Sequence, residues 1–144
     1  MANTSLFRLS EIYLLESVFR RNANVDFKDP AFKNNANISV EHQVLEGQTI
    51  HITVTLDFVA GKKRLKEISA KIKMMGVFKC DAEPIIPIEK FAIANGPAIM
   101  FPFLREHLAS ITLKAGISPI LLPSVNFIRL SEEDKPKKKL ATND

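Results

Sequence analysis

The sequence predicts an α+β fold in which a four-stranded antiparallel sheet is followed by a long C-terminal helix, with a shorter helix packed on the same face. Three observations predict it. Apolar and polar residues alternate with period two through the middle of the chain. The connections between those stretches are short, which makes neighbouring strands antiparallel. After Asn95 the apolar spacing switches to three and four, the helical period. Strands first and helices last put the helices on one face of the sheet.

The first strand is read over Leu6 to Phe19. Both parities carry apolar groups, Phe7, Leu9, Tyr13, Leu15 and Phe19 on one and Leu6, Ile12, Leu14 and Val18 on the other. A strand apolar on both faces needs cover on both, so its second face is expected to meet another subunit. The connection from Arg20 to Asn37 is long and polar, contains Pro30, and carries Phe27 and Phe32. A connection of that length points to function or disorder.

Ile38, Val40 and Val44 alternate with Ser39, Glu41 and Gln43, and the Glu46-Gly47-Gln48 turn leads into the next strand. There Ile50, Ile52, Val54, Leu56 and Phe58 alternate with Thr49, His51, Thr53, Thr55 and Asp57. This is the pattern of a half-buried strand. Beyond Gly61 and Lys62, Lys63 and Arg64, the alternation resumes with Ile68, Ala70, Ile72 and Met74 inward against Glu67, Ser69, Lys71 and Lys73 outward, which makes a hairpin. Asn95-Gly96-Pro97 reads as a helix start. Phe101, Leu104, Leu108, Ile111 and Ala115 then form a stripe that ends at Gly116, and a shorter helix is expected over Glu89 to Ala94.

The 144 residues, 46% hydrophobic and 25% charged, suit one domain, expected over 1–130 with a disordered charged tail over 131–144. In that tail Lys135, Lys137, Lys138 and Lys139 are offset by Glu132, Glu133, Asp134 and Asp144, so the net charge of +4 resides in the body. One cysteine excludes an internal disulfide framework and suits a reducing compartment. The longest uncharged stretches, Phe91 to Leu104 and Ala115 to Ile128, fall short of the ~20 residues a bilayer requires. Met1 to Ser10 has no apolar core of a signal peptide, so a cytoplasmic protein is expected.

Motifs for chemistry are missing. His42, His51 and His107 show no metal-ligand spacing, and Cys80 has no histidine near it in sequence. With no phosphate-binding glycine motif and no nucleophile elbow, neither an enzyme nor a cofactor or metal is expected. Lys71, Lys73, Lys79 and the Lys62 to Lys66 turn raise a nucleic-acid-binding module as an outside alternative. That parity offers Ser69, Met75 and Val77 rather than stacking aromatics, which makes nucleic acid a poor fit. The chain has instead ten phenylalanines and four methionines, several of them in the loop or on the lysine-bearing parity. Such surfaces suit promiscuous recognition of apolar peptide.

Three ordered motifs in the last third carry a resemblance: Gly-Pro-Ala-Ile-Met-Phe-Pro-Phe-Leu-Arg-Glu from Gly96 to Glu106, then Gly116 with Pro119, then Leu122-Pro-Ser-Val-Asn-Phe127. With Gly76-Val77-Phe78 at a strand end, they resemble the SecB family of export chaperones, in letters from Gly76 onward and in pattern from Leu6. The resemblance implies an ATP-independent chaperone that holds unfolded preproteins export-competent in apolar grooves, and a homotetramer built as a dimer of dimers. The groove residues it implies are Phe19, Phe27, Phe32, Met75, Phe78, Phe101, Phe103, Val125 and Phe127. The oligomer interface is expected at Ile12, Leu14, Leu104, Leu108 and Ile111. The family's outer sheet face is typically acidic and can dock the SecA motor, whereas Glu16 here neighbours Arg20, Lys71 and Lys73. That opposes a basic SecA tail and keeps open a SecB-like chaperone dedicated to one client, such as the antitoxin of a toxin-antitoxin pair.

Overall fold

The structure, a computed structural model, describes residues 4–62, 65–117, 122 and 137–142. The four expected strands are present as β2 (Arg8–Arg21), β3 (Phe32–Leu45), β4 (Thr49–Lys62) and β5 (Leu65–Lys79). Two-residue strands β1 (Thr4–Ser5) and β6 (Glu83–Pro84) pair in parallel beside them. The main sheet runs β2-β5-β4-β3-β7, antiparallel at every junction, where β7 is Lys137–Thr142.

Period-two alternation fixes which side of the sheet is dry. Ile50, Ile52, Val54, Leu56, Phe58 and Ala60 of β4 and Ile68, Ala70, Ile72, Met74 and Phe78 of β5 are all buried on one face. The helical segment covers that face. It begins as a three-residue turn, α1 (Ile88–Lys90), passes through a π-helical turn at Phe91–Asn95 and continues as α2 (Gly96–Lys114). Both junctions keep right-handed helical dihedrals, so the shorter helix expected over Glu89 to Ala94 and the long one form a single rod. Asn95-Gly96-Pro97 therefore lies inside the helix rather than at its start. Gly96 serves packing instead, because a Cβ there would collide with Ile52 Cδ1. The stop expected at Gly116 is present, with φ at 77°.

Strand β2 departs from simple alternation. Its register against β5 slips between Leu9 and Glu11 and again between Leu14 and Glu16, so Ser10 and Leu15 are extra residues in β-bulges. Each bulge inverts the parity. Leu9, Ile12, Leu14, Ser17, Phe19 and Arg21 consequently stand opposite Phe78, Gly76, Met74, Ile72, Ala70 and Ile68, all on the helix face. The doubly apolar pattern therefore has a local cause, and only Tyr13 and Val18 fall on the outer face, opposite Met75 and Lys71.

Two further expectations are corrected. Strand β3 starts at Phe32, so the connection after β2 is the shorter 22–31, because Asn34, Asn35 and Asn37 pair in register with Ala60, Val59 and Asp57 despite their weak strand preference. In the tail expected to be disordered, Lys137–Thr142 pairs with Asn34–Ser39 of β3, satisfying backbone groups on an edge that would otherwise face water. The remaining tail residues lie outside the described ones.

Candidate binding surface

The loop 22–31 is built by short-range hydrogen bonds and held at both ends. At its start, Arg21 Nη1 donates to Ala115 O at 2.8 Å, Nε to Asn22 O at 2.8 Å and Nη2 to Ala23 O at 3.0 Å. The Asn22 N–H donates to Glu67 O at 2.8 Å. Toward its end, Asp29 Oδ1 accepts from the Ala31 N–H at 2.8 Å and Asp29 Oδ2 lies 3.2 Å from Lys62 Nζ. The hydrogen bond to Asp29 is the largest cause holding the Lys62 ammonium above its ordinary pKa, against a smaller opposing effect of burial.

This frame presents Phe27 to solvent, 44% exposed, with its ring edge-on to Phe32 at 5.4 Å and the Arg21 guanidinium 6.0 Å from its centroid. Phe32 and Phe19 are half-buried and pack against the core beneath. Phe103, on the outward side of α2, is also 44% exposed, and Ile99 and Leu113 are exposed on the same helix. On β2, Leu14 and Leu15 are 49% and 51% exposed, and Tyr13 and Val18 are also open. Leu15 is exposed because it sits in the bulge.

Several expected site residues are elsewhere. Phe78 is fully buried against Phe91, rings 5.2 Å apart, and Phe101 is buried, so neither offers surface to a ligand in this fold. Both occupy the face shared by sheet and helix, where the apolar pattern alone cannot separate core from groove. Met75 is half-buried on the outer face between Tyr13 and Thr53, away from the helix side that Phe19 and Phe78 share. Val125 and Phe127 lie outside the described residues.

Among the expected interface positions, Leu104 and Leu108 are fully buried beneath α2, and Ile111 packs against the same core. The helical stripe serves the chain's own sheet. Ile12 is half-buried and Leu14 exposed, so of this set the β2 residues retain surface. Arg21, which holds the loop, was not singled out by sequence reasoning; no spacing marks an arginine whose partners are carbonyls from three separate positions.

Charges on the outer face are interleaved. Lys71 Nζ lies 3.6 Å from Glu16, Asp57 stands opposite Lys71, and Glu16 stands opposite Lys73. A phosphate backbone would therefore meet carboxylates beside the lysines. Elsewhere His42 Nε2 is 3.2 Å from Glu89 Oε2, Ser17 Oγ is 2.8 Å from His107 Nε2, and the buried Cys80 Sγ donates to Ala82 O at 3.2 Å. Among the described residues no group of three His, Cys, Asp or Glu side chains could hold a metal ion, and no helix is long and apolar enough to cross a membrane.

Known proteins share this architecture. The family model described as "Preprotein translocase subunit SecB" matches residues 2–138. The protein-export protein SecB of Halorhodospira halophila is 27% identical over 140 residues, covering 96% of this chain and 81% of that protein. The SecB of an Azoarcus species is 28% identical over 141 residues, covering 92% and 90%. Among solved structures, the Mycobacterium tuberculosis SecB-like chaperone Rv1957, in complex with a ChAD peptide from the HigA1 antitoxin, matches with a TM-score of 0.66 at 12% identity, covering 83% of this chain and 91% of that one. These matches support a chaperone role in protein export, without enzymatic activity. With its sheet, its helical rod and a family match over nearly the whole sequence, the chain belongs to the SecB family.

Proposed function

We propose that this protein is an ATP-independent holding chaperone of the cytoplasm that binds unfolded preproteins through apolar surface and keeps them competent for export. The observation that carries the reading is the pair of phenylalanines left open on a well-packed scaffold, Phe27 on a braced loop and Phe103 on α2. Phe32, edge-on to Phe27, and the half-buried Phe19 add apolar surface, and Met75, Val125 and Phe127 are the further contacts implied by the family. Client surface buried at ~25 cal/mol per Å² over many weak contacts stabilises the unfolded form, which exposes such surface, and not the native one. The protein is proposed to work as a homotetramer, a dimer of dimers, with the exposed β2 residues Tyr13, Leu14, Leu15 and Val18 meeting a second copy.

A second reading, a chaperone dedicated to one antitoxin, draws on the charge of +4 and on Arg20, Lys71 and Lys73 of the outer face, which oppose a basic SecA tail. The test is aggregation of a chemically denatured, reduced protein followed by light scattering, without ATP, at several-fold subunit excess. Suppression is expected for unrelated test proteins. Suppression confined to an antitoxin would select the second reading, and none at all would contradict both.

A further inference from the structure

The main sheet has two outer edges, and they differ. At one edge β2 has no outer partner strand among the described residues and is interrupted by bulges at Ser10 and Leu15, which break the regular spacing of the N–H and C=O groups on its outer side. At the other edge β3 pairs with β4 in unbroken register from Phe32 to Leu45. A regular edge is a template for another extended chain, because the backbone groups on its open side repeat at strand spacing.

That template is partly covered by the chain itself. Strand β7 pairs with Asn34–Ser39, whereas from Val40 to Leu45 the outer edge has no partner strand among the described residues, and Glu41, His42, Gln43 and Val44 are exposed there. The covering strand is short, six residues against fourteen, and begins Lys137-Lys138-Lys139. Lysines on short edge strands are a common guard against unwanted pairing, and lysine has little strand preference of its own. Backbone hydrogen bonds pair this guard with the edge, and any extended chain can replace them.

We propose that the outer edge of β3, from Asn34 to Leu45, accepts an extended segment of an unfolded polypeptide as an added strand, and that Lys137–Thr142 is an internal competitor for that edge. The incoming segment pairs first along Val40–Leu45 and then displaces β7 from Asn34–Ser39. Main-chain pairing is independent of side-chain identity, which suits a protein that must hold unrelated chains, and the exposed phenylalanines supply the apolar contacts. The proposal deepens the holding function and rests on it.

Two full-length variants test it, with reduced, carboxymethylated α-lactalbumin as the unfolded probe. Lys138→Pro with Lys139→Pro removes two adjacent N–H groups, one of each parity, and releases β7 from the edge. Asn37→Cys with Lys139→Cys places two thiols at directly opposed positions, close enough for a disulfide that pins β7 in place. A competitor that closes with an equilibrium constant of about 10 lowers apparent affinity about tenfold. The proline variant should then bind the probe roughly three- to tenfold more tightly, and the oxidised variant more weakly, with recovery on reduction. Amide hydrogen exchange on the wild-type complex should show Lys137–Thr142 losing protection while Val40–Leu45 gains it.

Equal affinity for all forms, with β7 still protected in the complex, would overturn the proposal and leave the holding function intact. So would a proline variant that gains mass without gaining affinity, which would assign the edge to a second copy. If the wild type binds no probe, the holding function fails and the proposal with it.

Discussion

The Arg21 guanidinium donates from Nη1 to the carbonyl oxygen of Ala115 at 2.8 Å, joining the end of β2 to the C-terminus of α2. Unsatisfied carbonyls and the negative end of the helix dipole make that terminus a favourable place for a cation. The same side chain bonds Asn22 O and Ala23 O and lies under the Phe27 ring, so one residue couples helix end, loop start and exposed aromatic.

Replacing Arg21 tests that coupling. Arg21→Ala should lower stability by about 1–3 kcal/mol in denaturant titration, since several hydrogen bonds from a charged group are lost together. Arg21→Lys should recover only part, because an ammonium cannot serve as the same planar fork. Both variants should bind unfolded protein more weakly, as Phe27 loses its brace.

The two classes of apolar residue should separate cleanly. Leu108→Ala empties a fully buried site and should cost about 2–5 kcal/mol in denaturant titration. Phe27→Ala removes an exposed ring and should change stability by less than about 0.5 kcal/mol, while weakening client binding by ~1 kcal/mol. A Phe27→Ala protein that melts early but binds normally would assign the ring to the core.

Gly96 makes a third case. Gly96→Ala forces a methyl group into Ile52 Cδ1 and should destabilise by about 1–3 kcal/mol. Ile52→Val removes that Cδ1, so the double variant should be more stable than Gly96→Ala alone. If the double variant is less stable, the close approach of α2 to β4 is not the reason for the glycine.

The Lys62 to Asp29 contact carries a pH signature. The Lys62 pKa is raised on folding, chiefly by the hydrogen bond to Asp29, so its contribution is complete below the ordinary lysine value of 10.5 and disappears as pH rises through the folded value. Wild-type protein should therefore lose stability relative to Lys62→Met above about pH 10, with the two curves parallel at pH 7 to 9. Parallel curves through pH 11 would contradict the assignment.

Strands β3, β4 and β5 and the helix were legible because period two and period 3.6 each report one buried face. The rest was hidden for physical reasons. Two single-residue bulges invert the parity of β2 twice, so Leu9, Ile12, Leu14 and Phe19 read as a strand apolar on both sides although they share one face. Asn34, Asn35 and Asn37 carry turn chemistry but are paired by the neighbouring strand. On the candidate site, Phe27 was visible as a surplus aromatic in a polar connection and Phe103 only through the family resemblance, whereas Phe78 and Phe101, implied by the same resemblance, are core. Hydrophobicity marks what avoids water, not what covers it.

The most direct measurement is isothermal titration of the protein with one test polypeptide in two forms, folded and disulfide-intact or reduced and carboxymethylated, without nucleotide. Binding of the unfolded form alone, with a negative heat-capacity change from apolar burial, is the predicted result. Equal binding of both forms, or of neither, would contradict a holding chaperone.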